Sequence, residues 1–472
     1  MEDRTELYIG GDWVPSLGQS RIEVENPATG EIVATVPSGN AEDVDRAVAA
    51  ARAAAPGWAA VPTSERAEFL RHIATGIAQR QDELARAVTT EMGCPITVAT
   101  RVQTWLPRAV LTTTADTLDA YAFETEIGNS LVVREPAGVV GAITPWNYPL
   151  HQIVCKVAGA LAAGCTVVVK PSEITPLSAY LLLEILEAAG LPAGVVNLVP
   201  GLGPSVGEAI AGHPDIDVVS FTGSVRAGRR VAEVAAANIT KVTLELGGKS
   251  AGVVLPDADL ATAVKAGVAN AFLNGGQTCA ACTRMLVHES QYDEAVELAG
   301  AQAAKYQPGD PLEPATRLGP LASGAQRDRV REFITTGIAE GARVVTGGAE
   351  PPEGLERGYF VLPTVLADVR PEATVAQQEI FGPVLSLIRY SDEEEAVAIA
   401  NDSDYGLAGA VWSADRARAV AFARRVRTGS VDVNGGGFNP AAPFGGYKRS
   451  GIGREMGVFG IEEFLEVKSI QL

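Results

Sequence analysis

The sequence predicts an α/β chain carrying two parallel sheets, each covered by helices, and three stretches lead to that reading. Between Val139 and Phe221 short β-branched runs alternate with helix-length apolar periods, and a second α/β cadence runs from Ala251 to about Val433. Before both, from Asn40 to Thr90, apolar residues recur at helical spacing among Ala, Glu and Arg. Alternating strands and helices imply parallel sheets covered on both faces.

Taken in order, the Asn40–Thr90 stretch reads as two long scaffold helices separated at Pro56, Gly57 and Pro62. Leu131 to Pro136 is extended. Val139-Val140-Gly141-Ala142-Ile143 is a buried strand, followed by a helix over 150–162 and a strand at Thr166-Val167-Val168-Val169. The cadence continues with a helix over 176–189, a strand at Val195 to Val199, a helix over 204–211 and a strand at Val218 to Phe221. Ile153 to Val169 is strongly apolar, but Lys156 and the Gly164-Cys165-Thr166 break favour a buried helix running into a buried strand over a membrane span. No internal repeat or low-complexity tract interrupts the pattern. Parallel sheets bind ligands outside the carboxyl ends of their strands, where Thr144 to Pro149, Lys170 to Glu173 and Thr222 to Ser224 fall.

Composition excludes several function classes. The 472 residues, 47% of them hydrophobic, suffice for two or three cored domains. With 38 basic and 57 acidic residues the net charge is -19, which repels nucleic acid and anionic membranes. The acidic start Met1-Glu2-Asp3-Arg4-Thr5-Glu6 leads into no long apolar run, so a cytoplasmic address is expected. Five cysteines (94, 155, 165, 279, 282) are expected as free thiols. Four scattered histidines (72, 151, 213, 288) form no zinc-ligand spacing, so no metal is expected.

Several residues could carry chemistry. Gly201-Leu202-Gly203-Pro204-Ser205-Val206-Gly207 only approximates the dinucleotide fingerprint and also suits an ordinary strand-to-helix turn. Phe221-Thr222-Gly223-Ser224-Val225-Arg226-Ala227-Gly228 ends a strand with glycine and a hydroxyl at a helix start, a place that can receive a phosphate or simply cap the helix. Cys279 lies in a Gly-rich, polar-flanked segment where a thiol with a lowered pKa would be nucleophilic, although isolated cysteines are usually small core residues. Asn147, after Pro145-Trp146, can aim an amide at a developing oxyanion or cap the helix that follows. Glu245, before Leu246-Gly247-Gly248, can become a base if partly desolvated. Cys279-Ala280-Ala281-Cys282 also fits C-x-x-C, but such dithiol motifs sit near the front of a small βαβ domain.

These segments resemble the aldehyde dehydrogenase superfamily through seven motifs in family order: Thr144-Pro145-Trp146-Asn147-Tyr148-Pro149, Lys170-Pro171-Ser172-Glu173, Phe221-Thr222-Gly223-Ser224, Glu245-Leu246-Gly247-Gly248-Lys249-Ser250, Gly276-Gln277-Thr278-Cys279, Glu379-Ile380-Phe381-Gly382-Pro383 and Pro443-Phe444-Gly445-Gly446. The resemblance spans essentially the whole chain. It implies two Rossmann-like parallel-sheet domains plus a small β oligomerisation element: residues 1–116 and 137–247 for NAD, 248–455 for catalysis, and 117–136 with 456–472 for assembly into a homodimer or homotetramer. The alternating apolar pattern at Phe464 to Ile470 suits an edge strand that needs a partner.

The resemblance also assigns roles. Cys279 is the nucleophile, Asn147 with a backbone N–H holds the oxyanion, Glu245 activates water, and Lys170 joins the catalytic set while holding ribose hydroxyls. The cofactor is expected on Ile143, Thr144, Pro145 and Trp146, on Ser172 and Glu173, on Gly203 and Gly207, on Phe221 to Ser224, on Leu246 and Gly247, and on Glu379 and Phe381. Glu173 should repel a 2′-phosphate and favour NAD over NADP, while a swung-away side chain would tolerate both. The presence of Glu245 favours hydrolysis of a thioester over transfer to coenzyme A. Around the substrate, His151, Gln152 and Cys155 replace larger apolar or aromatic side chains, and with Tyr148, Thr278, Ala280 and Phe438 they imply a roomy pocket without fixed positive charge. A bulky or long-chain apolar aldehyde is therefore expected.

Overall fold

The computed structural model describes residues 3–472; Met1 and Glu2 of the acidic start lie outside the described residues. The cadence from Val139 folds as one eight-stranded sheet. Its order is Gly451–Ile452, Lys241–Glu245, Val218–Thr222, Val139–Ile143, Thr166–Lys170, Val196–Leu198, Glu6–Ile9 and Asp12–Pro15. The five strands from Lys241–Glu245 to Val196–Leu198 run parallel, and the edges are antiparallel. Val139–Ile143, Thr166–Lys170 and Val218–Thr222 are buried at every position, which explains why their sequences are rich in β-branched residues without polar alternation.

The apolar stretch after Asn147 is a fully buried helix, Pro149–Ala163, with proline at its first position and Gly164 closing it in the left-handed conformation before the next strand. Among the described residues no helix is long and apolar enough to cross a membrane.

The scaffold before this sheet departs from the two-helix expectation. Three helices form, Ala41–Ala59, Thr63–Gln79 and Gln81–Met92, and Pro56 lies inside the first. Asn40 and Asp43 close a capping box at its start, and buried Trp58 anchors its last turn beyond the proline. The expected turn and helix at 204–211 is a π-helical turn, Gly203–Gly207, running into the short helix Glu208–Ala211.

The second cadence folds as a seven-stranded sheet ordered Arg343–Thr346, Thr364–Ala367, Val384–Tyr390, Arg284–His288, Ala251–Val254, Gly409–Trp412 and Asp432–Val433, parallel except at the first strand. After it the chain returns to the first sheet, where Gly451 pairs with Glu245. A separate antiparallel sheet joins Leu465–Gln471, Ser130–Pro136 and Glu124–Ile127. Residues 117–119 belong to the helix Trp105–Asp119 and not to that sheet. Ile127, Val467 and Ile470 stand exposed on it.

Candidate active site

A cleft of about 560 Å³ lies where loops from the first sheet meet the second unit. Pro145 to Asn147, Thr222 to Arg226, and Leu246 with Gly247 enter it from the carboxyl ends of three adjacent parallel strands. Cys279, Gln326, Arg329, Glu379, Phe381 and Tyr405 close it from the other side.

Cys279 owes its place to a tight backbone path. Asn274, Gly275 and Gly276 all take left-handed φ values of 55°, 68° and 72°, residue types that tolerate this region. A Cβ on Gly276 would lie 2.0 Å from the Gly382 carbonyl oxygen, so the segment passes directly against the 379–383 loop. Gln277 locks the turn: its Nε2 donates to Asn274 O at 3.0 Å and its Oε1 accepts from Ala322 N at 2.9 Å. Across the cleft, Asn147 Nδ2 donates to Gln277 O at 3.1 Å. The Asn147 carbonyl in turn accepts from Gln103 Nε2 at 3.0 Å and Asn274 Nδ2 at 2.9 Å.

Cys279 is half-buried on the cleft floor. The expectation of a lowered thiol pKa is not met. Burial, then the carboxylates of Glu245 and Glu379, push it up to about 12, so the resting side chain is a thiol. Glu245 ends its strand with both carboxylate oxygens buried and without a hydrogen-bond partner. Burial, with Glu455 adding to it, holds its pKa well above the carboxylate range, while Lys156 opposes the shift. Lys156 itself is paired with Glu455 at 2.7 Å. Glu245 does not line the cleft; Leu246 and Gly247 do.

At the other candidate positions the geometry divides. Thr222 Oγ1 is buried without a partner, and Ser224 caps the helix Val225–Ala236 by accepting Ala227 N at 3.3 Å. Glu379 Oε1 accepts from Gly248 N at 2.9 Å, and its pKa is raised to about 7 by burial. Its carboxylate packs so closely under the main chain that a Cβ on Gly247 would stand 2.2 Å from Oε2. Phe381, at φ 63°, meets Trp146 edge-to-face with centroids 5.3 Å apart.

Lys170 and its neighbours form a group apart from the cleft wall. Lys170 is buried, donating to Pro171 O at 2.9 Å and Glu173 Oε2 at 3.2 Å, and burial lowers its pKa. Ser172 accepts Ile174 N at 3.2 Å, Thr144 N donates to Lys170 O at 3.0 Å, and a Cβ on Gly207 would sit 3.7 Å from the Lys170 stem. Ile143 and Phe221 are buried beside the cleft, whereas Gly203 is partly open.

Of the expected substrate residues, Gln152 alone lines the cleft with Cys279. Tyr148 Oη and Thr278 Oγ1 are 2.8 Å apart, and Cys155 Sγ lies 3.5 Å from His151 Nε2. Ala280 is partly exposed beside Cys279. Phe438 is 47% exposed and packs on Phe444, so the structure does not bring it to the cleft. Cys282 turns away into a separate cavity with Asn270 and Met285, its N–H donating to Asn270 Oδ1 at 2.7 Å. All five cysteines are free. Among the described residues no group of three or more potential ligands could hold a metal ion.

Sequence reading missed Gln326 and Arg329, which brace the 379–381 loop. Gln326 Nε2 donates to Phe381 O at 2.8 Å and Arg329 Nη2 to Glu379 O at 2.8 Å. Both lie on a polar helix, Gly324–Ala339, whose sequence carries no local signal. Tyr405 was also missed, and Val225 and Arg226, read only as part of the helix start after Ser224, line the cleft as well.

The chain is similar to known proteins over nearly its whole length. The profile of the aldehyde dehydrogenase family matches residues 13–470. A 3-succinoylsemialdehyde-pyridine dehydrogenase from a Pseudomonas species is 50% identical over 471 residues, covering 100% of this chain and 99% of its own. The crystal structure of a cysteine-to-alanine mutant of aldehyde dehydrogenase C from Pseudomonas syringae, complexed with NAD+ and octanal, superposes with a TM-score of 0.98 at 50% identity, covering 99% of this chain and 96% of that one. A Mycobacterium tuberculosis aldehyde dehydrogenase complexed with NAD+ gives 0.97 at 44% identity, covering 100% and 98%. With two parallel sheets meeting at a cleft that holds Cys279 opposite Asn147, and a family match over nearly its whole length, the chain belongs to the aldehyde dehydrogenase family.

Proposed function

We propose that this protein oxidises a bulky or long-chain aldehyde to the carboxylic acid with NAD, through a thiohemiacetal and then a thioester on Cys279. The observation that carries the reading is the convergence of Cys279 and the Asn147 amide on one cleft, with the desolvated Glu245 carboxylate behind it.

The residues present fit NAD. Thr222 Oγ1 is buried and unpartnered at the cleft, beside a helix start whose first N–H groups suit a phosphate. Lys170 and Glu173 would hold ribose hydroxyls at one end, and Glu379 those nearer Cys279; Trp146 and Phe381 would border the ring. When bound, NAD+ supplies the hydride acceptor.

Glu245, or water, takes the Cys279 proton as sulfur adds to the aldehyde carbon, and the oxyanion falls to Asn147 Nδ2 and a backbone N–H. Loss of hydride from that carbon leaves the thioester. Glu245, having passed any proton it took on to solvent, then removes a proton from water as its oxygen attacks; the C–S bond breaks, that proton passes to the departing sulfur, and the acid leaves with the thiol restored. The buried Lys156–Glu455 pair biases the charge on Glu245 throughout.

The exposed sheet of Glu124–Ile127, Ser130–Pro136 and Leu465–Gln471 supports assembly into a dimer or tetramer, because its open edges and its exposed Ile127, Val467 and Ile470 need cover. NADH formation against a panel of aldehydes, with NAD and NADP in parallel, tests the activity. Turnover of long-chain or aromatic aldehydes with NAD is expected; no turnover of any aldehyde with either cofactor would overturn it.

A further inference from the structure

The helix Pro149–Ala163 is buried at all its positions, yet its first two turns carry three polar side chains: His151, Gln152 and Cys155. Each is at least nine-tenths buried. A buried polar group without a partner is costly, so each partner can be asked for by name.

His151 and Cys155 meet one another, with Sγ 3.5 Å from Nε2 and 3.6 Å from Nδ1. Burial lowers the His151 pKa to about 4, so the ring is neutral at working pH. Lys156, the one formal charge on this part of the helix, is taken by Glu455 at 2.7 Å. Gln152 is different. It is 6% exposed, its amide oxygen is buried with no partner, and it forms part of the same cleft wall as Asn147 and Cys279.

We propose that Gln152 determines specificity by hydrogen-bonding a neutral oxygen function, a hydroxyl or a ketone, on the chain of the aldehyde. This rests on the aldehyde-oxidising reading above and narrows its substrate class. The carbonyl oxygen of Gln152 accepts from a hydroxyl, and turning the amide about its last torsion presents the NH₂ to a ketone. A plain alkyl chain leaves the amide desolvated and unpaired. A site built around a buried hydrogen-bonding group rejects the analogue that cannot use it. A carboxylate or ammonium tail finds no free counter-charge on this helix, where the His151 ring is neutral and Lys156 is paired with Glu455.

The test compares octanal with oxo- and hydroxyoctanals in which the oxygen is walked along the chain, using the intact enzyme and NAD. At least one oxygenated octanal is expected to exceed octanal in kcat/KM by about tenfold, toward the lower end of what an unmet buried acceptor is worth. Gln152→Met, apolar and of similar volume, is expected to bring that ratio to about one while leaving the KM for NAD unchanged. Octanal turnover without any preference for oxygenated chains in the wild type would overturn the inference and leave the dehydrogenase reading standing, and it needs no variant. A preference that survives Gln152→Met, or a raised KM for NAD with the preference intact, would also overturn it, the latter by giving the amide to the cofactor. Absence of turnover for every aldehyde would remove both readings together.

Discussion

The Asn147 side chain donates to the Gln277 carbonyl at 3.1 Å, tying the loop after a first-sheet strand to the peptide that leads into Cys279. One N–H of that amide is spent on the tether, and the other is free to meet an oxyanion. Asn147→Ala is therefore expected to lower kcat by about a hundredfold or more, the usual cost of an oxyanion donor. NADH binding, followed by fluorescence titration, should hardly change. A kcat within about twofold of wild type would reduce Asn147 to the tether alone.

The two thiols of the C-x-x-C segment face different cavities. Cys279→Ala is expected to abolish aldehyde oxidation with NAD binding kept, and Cys282→Ala to remain active. Mass spectrometry after exposure to a reactive aldehyde and NAD should find the acyl group on the peptide carrying Cys279. The opposite pattern, an inactive Cys282→Ala beside a working Cys279→Ala, would move the nucleophile.

Glu173 carries a half-exposed carboxylate whose Oε2 lies 3.2 Å from buried Lys170. Glu173→Gln removes its repulsion of a 2′-phosphate and weakens its grip on ribose hydroxyls, so the ratio of kcat/KM with NAD to that with NADP should fall. An unchanged ratio would mean that Glu173 does not read the ribose.

Gly275 and Gly276 both have positive φ, but their surroundings differ. A Cβ on Gly276 meets the Gly382 backbone at 2.0 Å, whereas one on Gly275 first meets the end of the Gln277 side chain at 3.2 Å. Gly276→Ala should thus destabilise the fold more than Gly275→Ala, by about 1–3 kcal/mol of overpacking beyond the left-handed strain they share. Urea unfolding of the two variants decides it; equal midpoints would mean that the 379–383 loop yields freely.

The strands from Val139 to Thr222 were legible because burial on both faces writes itself as short runs rich in β-branched residues without polar alternation. The Gly-rich character of the Cys279 segment was legible too, whereas its left-handed path through Asn274-Gly275-Gly276 emerged only in the folded chain. Pro56 misled, because proline near a helix end can be outweighed by an anchored aromatic such as Trp58. Gln326 and Arg329 were invisible for another reason. They act by donating to main-chain carbonyls about fifty residues away, and a carbonyl has no letter in the sequence. The raised Cys279 pKa also depends on carboxylates brought near only by folding.

Removing the Glu245 carboxylate separates the halves of the proposed mechanism. Glu245→Gln is expected to slow thioester hydrolysis more than acylation, so a burst of NADH should survive while steady turnover falls by about a hundredfold or more. The pH dependence follows from the same carboxyl. Below its folded pKa Glu245 is protonated and cannot accept a proton from water; above it the carboxylate can. Because burial raises that pKa well above the carboxylate range, hydrolysis in the wild type should climb with pH through a limb displaced upward, and Glu245→Gln should lose the limb. Stopped-flow absorbance with a reactive aldehyde, repeated across pH, measures both phases. There is a competing demand on the same group, since Cys279 rests as a thiol and needs a proton acceptor of its own. If Glu245→Gln gave neither a burst nor an acyl adduct while still binding NADH, Glu245 would belong to thiol activation, and the base for water would have to be sought elsewhere around the cleft.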